Sequence, residues 1–203
     1  MFNYLIDKYP ETVEVNGKEY SVLTGFKDLI ALQEISRNEL FTQLEKNMII
    51  LKSFFKGNPP EEKEAAIHEY EEFLSCYQPK ERNAESDTNG EMPLDFCIDS
   101  QRIFSAFFYQ YGIDLNESDM HWFRFIALLN GLCDGTPQLL RVIDYRTKKI
   151  TTDMSKEEAS FYNRMRDKYS IMDPEEARKE RMKRAKEIED KYLAAFQKET
   201  KGE

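Results

Sequence analysis

The chain has 203 residues, of which 40% are hydrophobic and 13% aromatic. That is enough for a sizeable core in about one to one and a half typical domains, and too apolar for a wholly disordered chain. One third of the residues are charged, and 29 lysines and arginines against 38 acids leave a net charge of −9, a field that repels nucleic acid and anionic membranes and argues against nonspecific binding to either.

The N-terminal stretch predicts a β-hairpin. Thr12-Val13-Glu14-Val15 alternates, Asn16-Gly17 is the preferred type I′ turn pair, and Glu19-Tyr20-Ser21-Val22-Leu23 alternates again. Two strands alone are marginal in water, so Val13, Val15, Tyr20 and Val22 are expected to rest on helices or on a partner. From Thr24 the period becomes helical. Phe26, Leu29, Ile30 and Ile35 mark a short helix. A second, capped by Asn38, sets Leu40, Phe41, Leu44, Met48, Leu51 and Phe55 along one face and ends at Gly57. Pro59-Pro60 opens a third, acidic in its first turn, with an apolar stripe of Ala66, Ile67, Tyr70, Phe73, Leu74 and Tyr77. Residues 79–93 hold almost nothing to bury and read as a mobile loop.

The centre is the most hydrophobic part. Asp99 is the expected cap of a helix carrying Ile103, Phe104, Ala106, Phe107, Phe108 and Tyr111, closed by Gly112. Ser118 is the expected cap of the next, through Trp122 to Leu129, closed by Gly131. Both are apolar on more than one face and are expected to be the most buried pair. Thr136-Pro137 starts a further helix with Leu139, Leu140, Val142 and Ile143. Ser155-Lys156-Glu157-Glu158 has capping-box spacing and leads into Phe161, Tyr162, Met165 and Tyr169.

Asp173-Pro174-Glu175-Glu176 is another start signal, and the segment from Ala177 to Thr200 lacks glycine and proline. About 26 residues of helix would run about 39 Å, against a radius of gyration of about 16 Å for a compact body of the preceding length. From Pro174 onward there are 9 basic and 8 acidic residues, so the first 173 residues carry a net −10. Basic residues crowd Arg178 to Lys186, a pattern that suits either a basic arm or a solvated face with pairs such as Lys183 to Glu187. A narrow stripe of Met182, Ala185, Ile188, Tyr192 and Phe196 runs along the same segment. Burying each large member is worth about 1.5–3 kcal/mol, more than the ion pairs supply, so the stripe is the expected partner-binding site.

Signals for chemistry are weak. Glu64, His68 and Glu72 share one face of the third helix, but the second Glu-x-x-His pair that such metal sites draw from another helix does not occur. His121, within Met120-His121-Trp122-Phe123, reads as a buried histidine bonded to a carboxylate or backbone carbonyl rather than as a base. Cys76 lies about 12 Å along a helix from His68, too far for a dyad, and neither a Gly-x-Ser-x-Gly nor a P-loop motif occurs. Cys76, Cys97 and Cys133 are odd in number and widely spaced, and are expected as small hydrophobes on helices in a reducing cytoplasm. The opening Met1 to Asp7 lacks the basic and apolar regions of an export signal. The longest apolar run, Phe125 to Leu129, falls far short of the ~20 residues a membrane span needs.

Tyr111-Gly112-Ile113-Asp114-Leu115, followed by His121-Trp122-Phe123-Arg124-Phe125 and Leu128-Leu129-Asn130-Gly131-Leu132, resembles the bacteriophage Gp-fifteen family of tailed phages and prophages. The likeness extends to Val13-Glu14-Val15-Asn16-Gly17-Lys18-Glu19-Tyr20, Phe26 and Ile143-Asp144-Tyr145-Arg146, and spans roughly residues 10 to 170. It implies a protein encoded among tail genes near the tape-measure protein, and hence a noncatalytic tail-assembly chaperone in the host cytoplasm. Its partners would be the tape-measure protein, the tail-tube protein and a second copy, with no cofactor and no catalytic or metal-binding residue. Structural roles are implied for Gly112 and Gly131 as left-handed helix ends, Trp122 in core packing, and Asp114 or Arg146 in a polar pair. A connector or tail-completion protein of the virion is the alternative, and a metal-dependent hydrolase using Glu64, His68 and Glu72 a further one. The expected fold is mostly α: a helical bundle over residues 1–172 with an N-terminal β-hairpin, and a long charged helix over 173–203.

Overall fold

The structure is a computed structural model and describes residues 2–38, 40–78, 93–133 and 138–171, with Lys179, Lys183 and Lys186. Its elements in chain order are β1 (Thr12–Val15), β2 (Lys18–Ser21), α1 (Phe26–Arg37), α2 (Gln43–Phe54), α3 (Lys63–Leu74), α4 (Ser100–Tyr111), α5 (Trp122–Asn130), α6 (Leu139–Thr147) and α7 (Lys156–Tyr169). The protein is thus mostly helical with a small two-stranded N-terminal sheet. The expected loop over 79–93, apart from Pro93, lies outside the described residues, and so does the expected helix over 173–203, apart from its three lysines. The chain divides into two compact units.

The described residues of the first unit are 2–38, 40–78 and Met120–Phe125, with Lys179, Lys183 and Lys186. Its strands pair antiparallel with Val13 opposite Tyr20, and Asn16 and Gly17 take the positive φ values of 49° and 79° that a type I′ turn needs. Val13 and Val15 are buried, and β1 packs on α3, which supplies the cover that a lone hairpin lacks. Chain leaving β2 pairs with the end of α2: Leu23 N–H donates to the Phe54 carbonyl and Lys56 N–H to that of Ser21.

Helix α2 begins later than its hydrophobic spacing implies. Thr42, not Asn38, is the cap, in a reciprocal capping box with Glu45, and the Asn38 side chain instead accepts from Leu40 N–H. The stripe therefore splits. Leu51 and Phe55 are buried, whereas Leu40, Leu44 and Met48 are exposed.

Residues 118–121 do not form the helical turn that a Ser118 cap would begin, and α5 starts at Trp122. Tertiary pairing decides this. Phe26 N–H donates to the Met120 carbonyl at 3.0 Å and Trp122 N–H to that of Thr24 at 2.7 Å, holding this stretch extended beside the start of α1. Trp122 is buried, and its Nε1–H donates to the Leu74 carbonyl, satisfying one of the carbonyls orphaned at the end of α3.

The second unit holds the described residues of 80–119 and of 126–173, with α4, the rest of α5, α6 and α7. Its interior contains an ion pair. Arg146 and Asp99 are 1% and 0% exposed and form a bidentate pair, Nη1 to Oδ2 at 2.6 Å and Nη2 to Oδ1 at 3.0 Å. Arg146 also donates from Nε to the Tyr169 carbonyl and from Nη1 to that of Pro93. Asp99 sits at the N-cap of α4, but its side chain makes no cap bond, because it accepts from Arg146, Arg102 and Asp95 N–H instead. The neighbouring Asp95, also buried, accepts from Cys97 and Ile98 N–H.

Of the two glycine helix ends implied by the resemblance, Gly112 is left-handed (φ 66°) and Gly131 is not. At Gly131 the constraint is space: an added Cβ would meet the Tyr111 hydroxyl and the Ala127 carbonyl, each at 3.2 Å. The Tyr111 hydroxyl donates to the Leu128 carbonyl, which brings it close. Asp114 makes a local turn by accepting from Asn116 N–H, and Arg146 is the residue in the polar pair.

Removing one partner of a buried, fully hydrogen-bonded pair leaves an uncompensated charge. Arg146→Ala is accordingly expected to lower the unfolding free energy by ~3–5 kcal/mol in a urea titration. Arg102→Ala, at a partly exposed site on the same carboxylate, should cost well under half of that.

Candidate interaction surfaces

His121 is half-buried. Its Nδ1 accepts from Phe123 N–H at 3.1 Å and Nε2 lies 3.0 Å from the Pro10 carbonyl, so the network assigns the proton to Nε2. Both nitrogens are thereby committed to backbone, one of the two kinds of partner expected, although the ring is half-buried rather than buried. Its ring stacks on Tyr9 at 4.9 Å and meets Phe123 edge-on. Burial holds its pKa below the ordinary 6.5, partly offset by the Pro10 carbonyl and by Glu11.

The cysteines correct the sequence reading. None of the three is in a disulfide, and none lies in a helix. Only Cys76 is buried, in the turn that closes α3, while Cys97 is half-buried and Cys133 exposed. Burial pushes the Cys76 thiol up to about 11, against a hydrogen bond to Tyr4 that pulls it down. Cys76 and Tyr77 both take left-handed backbone, at φ 55° and 53°. That cost is met by the bonds Cys76 N–H to the Phe73 carbonyl and Tyr77 N–H to that of Glu72, which close the helix. Glu64 and His68 are exposed on α3, with Glu72 half-buried. Among the described residues no three His, Cys, Asp or Glu side chains converge as metal ligands would.

Apolar side chains facing solvent are the more informative feature. Around the start of α2, Leu40, Leu44 and Met48 follow one another at four-residue steps and are 57%, 67% and 40% exposed. At the N-terminus, Leu5 and Ile6 are 95% and 79% exposed. They sit on a built turn: Asn3 Oδ1 accepts from Leu5 N–H, its carbonyl accepts from Ile6 and Asp7 N–H, and Asp7 Oδ2 accepts from Asn3 N–H. Phe2, just before that turn, packs edge-on against Phe123 at 5.0 Å. On α4, expected as one of the most buried pair of helices, Phe108 and Tyr109 are exposed.

The stripe assigned to partner binding, Met182, Ala185, Ile188, Tyr192 and Phe196, lies outside the described residues. Lys179, Lys183 and Lys186, which are described, are helical and exposed. They lie three and four residues apart and so share one face.

The surfaces on the N-terminal turn and on α4 carry no period that marks them in sequence. The α2 surface has one, but it continues into buried Leu51. Only the Thr42–Glu45 capping box hints that Leu40 stands outside the helix.

A family model described as Bacteriophage Gp15 protein matches residues 5–171, most of the chain. The chain belongs to the bacteriophage Gp15 family. Membership makes it a phage structural or assembly protein, and the family is not one known for catalysis. No curated protein and no solved structure matches the chain. Among the described residues no helix is long and apolar enough to cross a membrane.

His121 is held neutral in the fold, so protons are taken up preferentially by the unfolded chain as pH falls below 6.5. Its contribution is complete above that value and lost below it, down to the depressed folded pKa. The melting temperature of the wild type should therefore fall more steeply on acidification through this range than that of His121→Asn. Alkylation of the native protein should modify Cys133 and spare Cys76 until denaturant is added, as read by mass spectrometry.

Proposed function

We propose that the chain is a noncatalytic tail-assembly chaperone that holds a helical client, the tape-measure protein, in the host cytoplasm before the tail tube polymerises. Membership of a phage structural and assembly family supports this reading, and the exposed stripe Leu40, Leu44 and Met48 around the start of α2 is the observation that carries it. A helical client presents an apolar stripe of its own, and Leu44 and Met48, one turn apart on α2, with Leu40 just before the Thr42 cap, offer it an apolar face. Full burial of a large aliphatic side chain contributes about 1.5–3 kcal/mol, so three of them suffice for a reversible grip. The terminal stripe, Met182, Ala185, Ile188, Tyr192 and Phe196, is assigned as a second grip on the same client. Its spacing supports that role, and the charged flanks keep the chain soluble.

Replacing Leu44 and Met48 by serine should weaken capture of the tape-measure protein by tenfold or more, since each ~1.4 kcal/mol is a factor of ten. Serine at Met182, Ile188, Tyr192 and Phe196 should do the same. Unchanged capture by both folded variants overturns the reading. The second reading that the family supports is a structural component such as a connector or tail-completion protein. Purified mature particles separate the two, because a structural component is retained in them and a chaperone is absent.

A further inference from the structure

We propose that the outer face of α4 pairs with the same face of a second copy, antiparallel, to form a symmetric dimer. The positions turned away from the core of the second unit are Gln101, Phe104, Ser105, Phe108, Tyr109 and Gly112, all exposed or half-exposed. No charged residue is among them, in a chain that is one third charged. The single charged residue of α4, Arg102, is turned aside, with its guanidinium on Asp99 at 3.0 Å and over the Tyr169 ring. Depletion of charge and enrichment in aromatic rings are what distinguish the centre of an interface from ordinary surface.

Charge also selects the occupant. Two copies of a chain with net −9 repel one another, so they meet most readily where the facing surfaces are neutral. A basic or acidic segment gains nothing from this face, whereas a second α4 matches it in polarity.

Its residue pattern is self-complementary as well. The six positions are symmetric about the midpoint between Ala106 and Phe107, so an antiparallel partner lays Phe108 on Ser105, Phe104 on Tyr109 and Gln101 on Gly112. Large side chains thus meet small ones, or ring meets ring, which suits the 8–10 Å approach of packed helices. The Phe104 and Phe108 rings already lie parallel, 8° apart with centroids at 6.3 Å, as a preformed aromatic surface. Such a two-fold contact is closed, and each copy gives and receives the same set of residues. It is separate from the stripes assigned to the client and does not rest on that assignment.

The test is the mass of the full chain in solution by sedimentation velocity across a dilution series. The wild type should read two chains at high concentration. Phe108→Lys, and separately Tyr109→Lys, should read one chain with an unchanged circular-dichroism spectrum, because both sites are exposed. Combining Phe108→Lys with Ser105→Glu should restore two chains, because the opposite charges then face each other across the seam. A wild type that stays a single chain at every concentration overturns the proposal. So does a dimer indifferent to both lysine variants, a failure of the charge pair to restore it, or a dimer lost only when the terminal stripe is changed to serine.

Discussion

A guanidinium that is only 1% exposed must find an anion and acceptors for its remaining protons, or the fold cannot keep it. Arg146 meets that requirement with one carboxylate and two carbonyls, which tie α6 to two other stretches of the chain: Pro93 and Asp99 ahead of α4, and the end of α7. The second unit is organised around this point. Because Asp99 is held by Arg146, the start of α4 is fixed in place. With it is fixed the helical phase that buries Ile103, Ala106 and Phe107 and leaves Phe108 and Tyr109 outside. The end of α7 is tied to the same side chain, just before the terminal segment begins. A hydrophobic contact could have filled the space, but only a charged pair with directional bonds sets three chain segments in one register.

The first unit relies on a different constraint with the same logic. Met120–Phe125 supplies backbone bonds to the start of α1, an indole bond to the end of α3 and rings on both sides of the core. His121 belongs to this arrangement. Its two nitrogens are used to hold Pro10 and Phe123, which anchors the N-terminal residues that display Leu5 and Ile6. Of the groups that might have suggested chemistry, His121 is used in holding the structure and Cys76 is buried. The surface is left with apolar side chains on helices and on one built turn.

Much of this is legible in the residues alone. The hairpin register follows from Asn16-Gly17, and the start of α7 from the Ser155 cap, whose hydroxyl accepts from Glu158 N–H. The end of α4 follows from Gly112, and a hydrogen-bonded rather than catalytic His121 from its aromatic setting, with its partner left open between carboxylate and carbonyl. The motifs around Gly112, Trp122 and Arg146 also carry the family. Other readings fail for identifiable reasons. Asp99 reads as a cap because aspartate before a helix usually is one, but a distant arginine outcompetes a local N–H for its oxygens. Ser118 has the look of a cap, yet pairing with Thr24–Phe26 holds the following residues extended. The long stripe on α2 resembles a single inward face, and the neighbours that cover it reach only its second half.

Helical class, turn chemistry, the caps that need only their own neighbours and the family are all set by the order of residues. These rest on interactions within a few positions, where spacing is geometry. Which apolar residues stay in contact with solvent is settled by the folded chain, because burial depends on what arrives from elsewhere. The partner of Arg146, the tautomer of His121 and the reason for glycine at position 131 are settled in the same way, since each depends on a group that spacing cannot bring near. Periodicity marks a side chain as able to be buried, and the fold determines whether a neighbour comes to cover it.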